Sequence, residues 1–151
     1  SAASDVYKRQ VKKYDIEPSN LKIEITETTI MSDVPNLMGE LEELRKAGFT
    51  IEMDDFGSGY SSLNTLKDMD VDVLKIDMGF LRTTKPEHLE RSMKILNMII
   101  SLSKMLGLSV ITEGVETQEQ VVKLSQMGCG IYQGYYFSKP IPVSEFEERY
   151  M

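Results

Sequence analysis

Ile51-Glu52-Met53-Asp54-Asp55-Phe56-Gly57-Ser58-Gly59-Tyr60-Ser61-Ser62-Leu63 is the stretch on which the reading of this chain turns. A short apolar run delivers two adjacent carboxylates, two glycines are spaced for a tight loop, and Ser61 or Ser62 stands where the next helix needs a cap. Neighbouring Asp54 and Asp55 repel each other, so holding both at a strand end costs stability unless protons or a cation neutralise them. Hard divalent cations take oxygen ligands, and aspartate offers them on the shortest carboxylate side chain. A solvated Asp-Asp turn feeding a helix accounts for the same letters, and the stretch alone leaves both readings open.

Outward in both directions the chain alternates between strands and helices. Residues 21–26 put Leu21, Ile23 and Ile25 on one face and Lys22, Glu24 and Thr26 on the other, which is the period of a strand. Ser32 or Asp33 can cap a helix whose stripe is Leu37, Met38, Leu41 and Leu44, and Gly48 stops it. The spacing then predicts a strand over 50–54, a short helix over 62–67, a strand over 73–77 and a long helix over 86–106 between Pro86 and Gly107. A strand over 109–112 follows, then a helix opened by the capping-box spacing of Thr117 to Gln120 and closed near Gly128. A last strand is expected over 130–137 and a terminal helix over 144–150. No hairpin signal separates the strands, so five parallel strands with right-handed crossovers are expected, an α/β arrangement.

With 151 residues, 41% hydrophobic and 27% charged, the chain reads as one globular unit. Residues 1–10 carry no apolar period and are set aside as a tail of non-native or assembly-derived origin, leaving 11–151 as the domain. A net charge of −7 argues against a nucleic-acid polymer as partner, since such polymers are held through Lys and Arg. An anionic ligand would need metal ions. The single cysteine, Cys129, forms no internal disulfide and fits a reducing, cytoplasmic compartment, or is simply a small buried residue. The most apolar segment, 95–108, is interrupted by Asn97, Ser101, Ser103 and Lys104 and is too polar to span a bilayer.

Each expected strand delivers polar groups at its carboxyl end: Glu24 with Glu27, Asp54 with Asp55, Lys75 with Asp77, Glu113 with Glu116, and Gln133. In a (β/α) barrel that end is the catalytic face. Alternation places Lys75 and Asp77 on one side of their strand and Leu74 and Ile76 on the other, so a lysine sits in an otherwise buried strand and needs carboxylate partners. A purely structural ion network is the competing reading, although aliphatic layers would replace such a network at no loss. His88, at a helix start, reads as solvated. Carboxylates, one lysine and no histidine base suit chemistry run by Mg²⁺ or Mn²⁺, either phosphodiester hydrolysis or enolisation with lysine as base.

Residues 11–151 resemble the carboxyl-terminal part of an EAL domain, the bacterial cyclic di-GMP phosphodiesterase. The resemblance rests on Ile23-Glu24-Ile25-Thr26-Glu27, the Asp54-Asp55-Phe56-Gly57 run through Leu63, Lys75-Ile76-Asp77, Glu113-Gly114-Val115-Glu116-Thr117, and Gln133-Gly134-Tyr135-Tyr136-Phe137-Ser138-Lys139-Pro140. It implies that Glu24 and Asp54 are metal ligands, with Asp54 shared between two Mg²⁺ or Mn²⁺ ions, and that Asp55 and Glu113 complete the second ion's surroundings. It implies that Lys75 orients or activates the attacking water beside Asp77, that Glu116 and Gln133 support site and substrate, and that the product is linear 5′-pGpG. Glu27 would anchor the loop after Asp55, which the family also uses for homodimers, and sensory or GGDEF-type domains are expected partners in a longer parent.

The family's name motif, Glu-Ala-Leu, does not occur here, nor does the asparagine strand that follows it. A closed barrel has eight strands and ~250 residues. The expectation is therefore a partial TIM-type (β/α) barrel lacking its first strands and inactive by itself, within a parent for which a membrane anchor is left open. A non-catalytic module that binds cyclic di-GMP or another protein is the alternative. Glu52 stands where the family often has a small residue, and would add a carboxylate to the lumen.

Overall fold

A computed structural model of the chain describes residues 2–26, 29, 34–56, 63–81 and 85–151. The strands are β1 (Lys22–Thr26), β2 (Thr50–Phe56), β3 (Val73–Asp77), β4 (Ser109–Glu113) and β5 (Ile131–Tyr132). They form one parallel sheet in the order of the sequence, so each crossover returns the chain beside the strand it left. This is the arc of a TIM-type (β/α) barrel, in which β1 and β5 are the edges among the described residues.

The helices are α1 (Ala2–Lys13), α2 (Val34–Lys46), α3 (Leu63–Asp68), α4 (Pro86–Met105), α5 (Gln118–Gln126) and α6 (Val143–Tyr150). Spacings of three and four residues decide which side chains they bury: Leu41 and Leu44 on α2, and Leu96, Ile100 and Ser103 on α4. These join Ile25, Ile51, Met53, Leu74 and Ile76 from the strands in a single core. Burial of each such aliphatic side chain contributes about 1.5–3 kcal/mol. Gly48 and Gly107 end α2 and α4 with φ of 94° and 76°, a conformation in which a Cβ would clash. At the start of α5 the Thr117 hydroxyl accepts from the Gln120 backbone N–H at 3.3 Å while the Gln120 side-chain Oε1 accepts from the Thr117 N–H at 3.1 Å, so the expected capping box is formed.

Two strand expectations are corrected, and the residues ahead of Val11 take a regular place. Residues 2–10 form the first part of α1. Ser4 is fully buried and donates to Glu43 on α2 at 3.1 Å, Lys8 pairs with the same carboxylate at 3.6 Å, and Val11 enters the core. The last strand covers two residues rather than eight. After Tyr132 the backbone binds the β4 side instead, Gln133 N–H donating to Thr112 O and Tyr136 N–H to Val115 O. Gly134 lies so close to Val115 that a Cβ would sit 2.1 Å from its carbonyl oxygen. Finally, β2 runs on to Phe56 through an irregularity that shapes the site.

Candidate active site

The β2–β3 register pairs Met53 with Leu74 but Phe56 with Ile76, so three steps on β2 match two on β3. This is a β-bulge, and Asp55 absorbs the extra residue with φ of 56°. Aspartate tolerates that left-handed conformation better than most residues because its short polar side chain can bond locally. On a regular strand Asp54 and Asp55 would point to opposite faces. The Asp55 carboxyl instead lies within the influence of Asp54, Asp77, Lys75 and Glu24; its pKa is raised, first by burial and then by the charges of Asp54 and Asp77.

Lys75, in the middle of β3, is the centre of the arrangement. Its side chain is only 6% exposed. Its Nζ donates to Glu24 of β1 and lies 2.9 Å from Glu113 of β4 and 3.3 Å from Asp54 of β2, so three strands each send one carboxylate to a fourth strand's ammonium. Burial alone would lower the lysine pKa. Bonding to Glu24 and Glu113, with the charges of Glu113 and Asp54, outweighs it and holds the ammonium above the ordinary lysine range. Glu113 is pushed up by burial, against the pull of Lys75, and Asp54 pushes it up further.

The other expected site residues fall into different places. Asp77 accepts a hydrogen bond from the Gly79 N–H two residues on, an Asx-turn that fixes the 3₁₀ turn Met78–Leu81. Glu116 and Gln133 are exposed and make no hydrogen bond or ion pair with the cluster among the described residues. Glu27 and the loop 57–62 lie outside the described residues. His88 is exposed, and Cys129 is buried with its Sγ 3.7 Å from Thr112 Oγ1. The sequence reading missed the bulge, although the letters carry a signal: strict alternation from Ile51 and Met53 calls for an apolar residue at 55, and it arrives at Phe56.

The donors suit a hard cation, all of them carboxylate oxygens. Asp54 Oδ1 is buried and has no hydrogen bond, being near Lys75 Nζ but not aligned with it. Among the described residues no three acidic, histidine or cysteine side chains close on a single ion position; the ammonium takes the point on which these carboxylates converge. No helix among the described residues is long and apolar enough to cross a membrane.

The family model described as EAL domain matches residues 1–140, including the stretch that forms most of α1. Cyclic di-GMP phosphodiesterase RocR of Pseudomonas aeruginosa is 38% identical over 134 residues, 89% of this chain and 34% of RocR. Among solved structures, the PaMucR phosphodiesterase in complex with c-di-GMP matches with a TM-score of 0.82 at 37% identity, over 92% of this chain and 56% of that one. Klebsiella pneumoniae BlrP1, in a manganese/cy-diGMP complex at pH 9.0, matches with a TM-score of 0.83 at 31% identity, over 92% of this chain and 35% of that one. The chain thus spans about a third of RocR and little more than half of the PaMucR chain. The parallel sheet, the acids at its strand ends and the extent of these matches agree: the chain belongs to the EAL domain family.

Proposed function

We propose that this chain carries one side of the active centre of a metal-dependent cyclic di-GMP phosphodiesterase, in which water opens a phosphodiester bond to give linear 5′-pGpG. The observation that supports this most is the convergence of carboxylates from β1, β2 and β4 on a buried ammonium from β3. Glu24, Asp54, Asp55 and Glu113 are the residues that would hold Mg²⁺ or Mn²⁺, as two ions. Such ions, when bound, supply hydroxide near neutral pH and offset charge developing on the phosphate. Without metal the carboxylates around it hold Lys75 protonated, and its part would be to donate to the attacking water or a phosphate oxygen and hold it in line.

Asp77 would steady the β3 turn, Glu116 and Gln133 would face the nucleotide, and Glu27 would tether the loop after Asp55 at a homodimer contact. A cytoplasmic site of action fits a nucleotide substrate. Turnover by these 151 residues alone is expected to be slight, because an open sheet admits water and water weakens every charge interaction in the site.

A receptor that binds the nucleotide without cleaving it is the second reading, favoured by the absence of a closed three-acid ion position among the described residues. Calorimetric titration of cyclic di-GMP into the chain and its Asp54→Asn variant, with and without Mn²⁺, separates the two. Hydrolase machinery predicts Mn²⁺-dependent binding that Asp54→Asn weakens, with 5′-pGpG released by a longer protein containing this chain. Binding indifferent to both Mn²⁺ and Asp54 would overturn the proposal.

A further inference from the structure

Glu52 is a carboxylate with no visible occupation. It is 5% exposed, in the middle of β2, and among the described residues it forms no ion pair and accepts no hydrogen bond. Its carboxylate oxygens keep some contact with solvent, yet burial of the side chain disfavours its charge while the Lys75 ammonium pulls the other way, so its position asks for a reason. Register gives its surroundings: Glu52 is level with Glu24 on β1 and with Val73 on β3. Residues two apart on a strand share a face, so Glu52 lies on the Lys75 side, diagonally one step below it. Strand spacing and rise put the two Cα atoms ~8 Å apart, a gap that a glutamate and a lysine span together.

Glu24, Asp54 and Glu113 have two claims on them. They now neutralise Lys75, and under the proposed function they turn to divalent cations. An ammonium only 6% exposed cannot be stripped of its acceptors without a large desolvation cost. We propose that Glu52 is a positioning residue that takes over Lys75 as a cation draws the other carboxylates away, so that metal binding leaves the ammonium paired and in place. The inference rests on the metal-dependent reading of the site, and adds to it a carboxylate exchange that lets Lys75 stay charged in both states.

The test is a double-mutant cycle on the 151-residue chain, reading Mn²⁺ affinity by the free-ion electron paramagnetic resonance signal. Glu52→Gln is expected to weaken Mn²⁺ about tenfold in the natural background and less than about twofold when Lys75 is already methionine. Equal losses in both backgrounds would overturn the inference, since Glu52 would then act as a ligand or as background charge. Thermal melting supplies a second reading that does not need the Lys75→Met chain to fold. Glu52→Gln alone should raise the melting temperature without Mn²⁺ and shrink the rise that Mn²⁺ produces. An undiminished Mn²⁺-induced rise would overturn the inference while leaving the proposed function standing, whereas no Mn²⁺ binding by the natural chain would overturn both.

Discussion

On one face of the sheet Ile51, Met53, Leu74 and Ile76 are buried against Leu41, Leu44, Leu96 and Ile100; one residue along the same strands, Glu52, Asp54 and Lys75 look the other way. The first face is finished by contact: its side chains find apolar neighbours from the helices of this chain. The second is held together by charge, with one ammonium standing among several carboxylates. Non-directional packing needs no outside component, while the polar face holds more negative than positive charge and will respond to any cation offered to it.

The sharpest way to break the comparison is to damage each face once. Leu74→Ala should cost about 2–5 kcal/mol by loss of buried methyl groups, equally with and without Mn²⁺. Lys75→Met should cost less, about 1–3 kcal/mol, by leaving the partly exposed Asp54 and Glu113 and the half-exposed Glu24 without their cation, and Mn²⁺ should restore part of it by replacing the lost positive charge. Urea titrations of both variants with and without the ion decide this; a Lys75→Met loss that Mn²⁺ leaves untouched would mean that the polar face is only structural.

A smaller effect belongs wholly to the helix layer. Thr117→Ala removes the α5 cap and should cost about 1 kcal/mol, again unchanged by Mn²⁺. If the ion alters it, the two faces are coupled through β4 and the residues leading into α5.

The smallest expected effect is on pH. Glu52, Asp55 and Glu113 all have raised pKa values, in each case first through burial. A carboxyl whose folded pKa exceeds its unfolded one binds its proton more tightly when folded, so stability should rise as pH falls toward those values. Surface acids held down by lysine, Glu42, Glu90 and Glu119, lose their contribution only as pH drops below the ordinary 4.5. As pH falls from neutral toward the ordinary carboxylate range, without divalent ions, the urea midpoint is therefore expected to increase, and Mn²⁺ should flatten the trend by competing with the protons. A falling midpoint would show that the polar face is not short of positive charge.

Much of this was legible because it is periodic. β3 has the bounds that alternation predicts, α4 opens at Pro86 and the capping box at Thr117 is where its spacing put it. Parity alone placed Lys75 among acids. What escaped depends on contacts that no local pattern carries. The residues that tie α1 down are Ser4, Lys8 and Val11, which make no apolar stripe, and Ser4 is held by a glutamate 39 residues away. The short β5 follows from Gly134 meeting Val115, an approach set by tertiary structure. Glu27, with the loop it was expected to anchor, falls outside the described residues.

The extra residue in β2 has a wider meaning for reading such chains. Two identical letters in a row name a doublet in sequence, yet an unbroken ladder would have sent one acid into oil and one into water. It is the ladder's miscount by one, taken up at Asp55, that turns a doublet of letters into a doublet in space. An insertion or deletion between Met53 and Phe56 would therefore undo the pair without changing either aspartate.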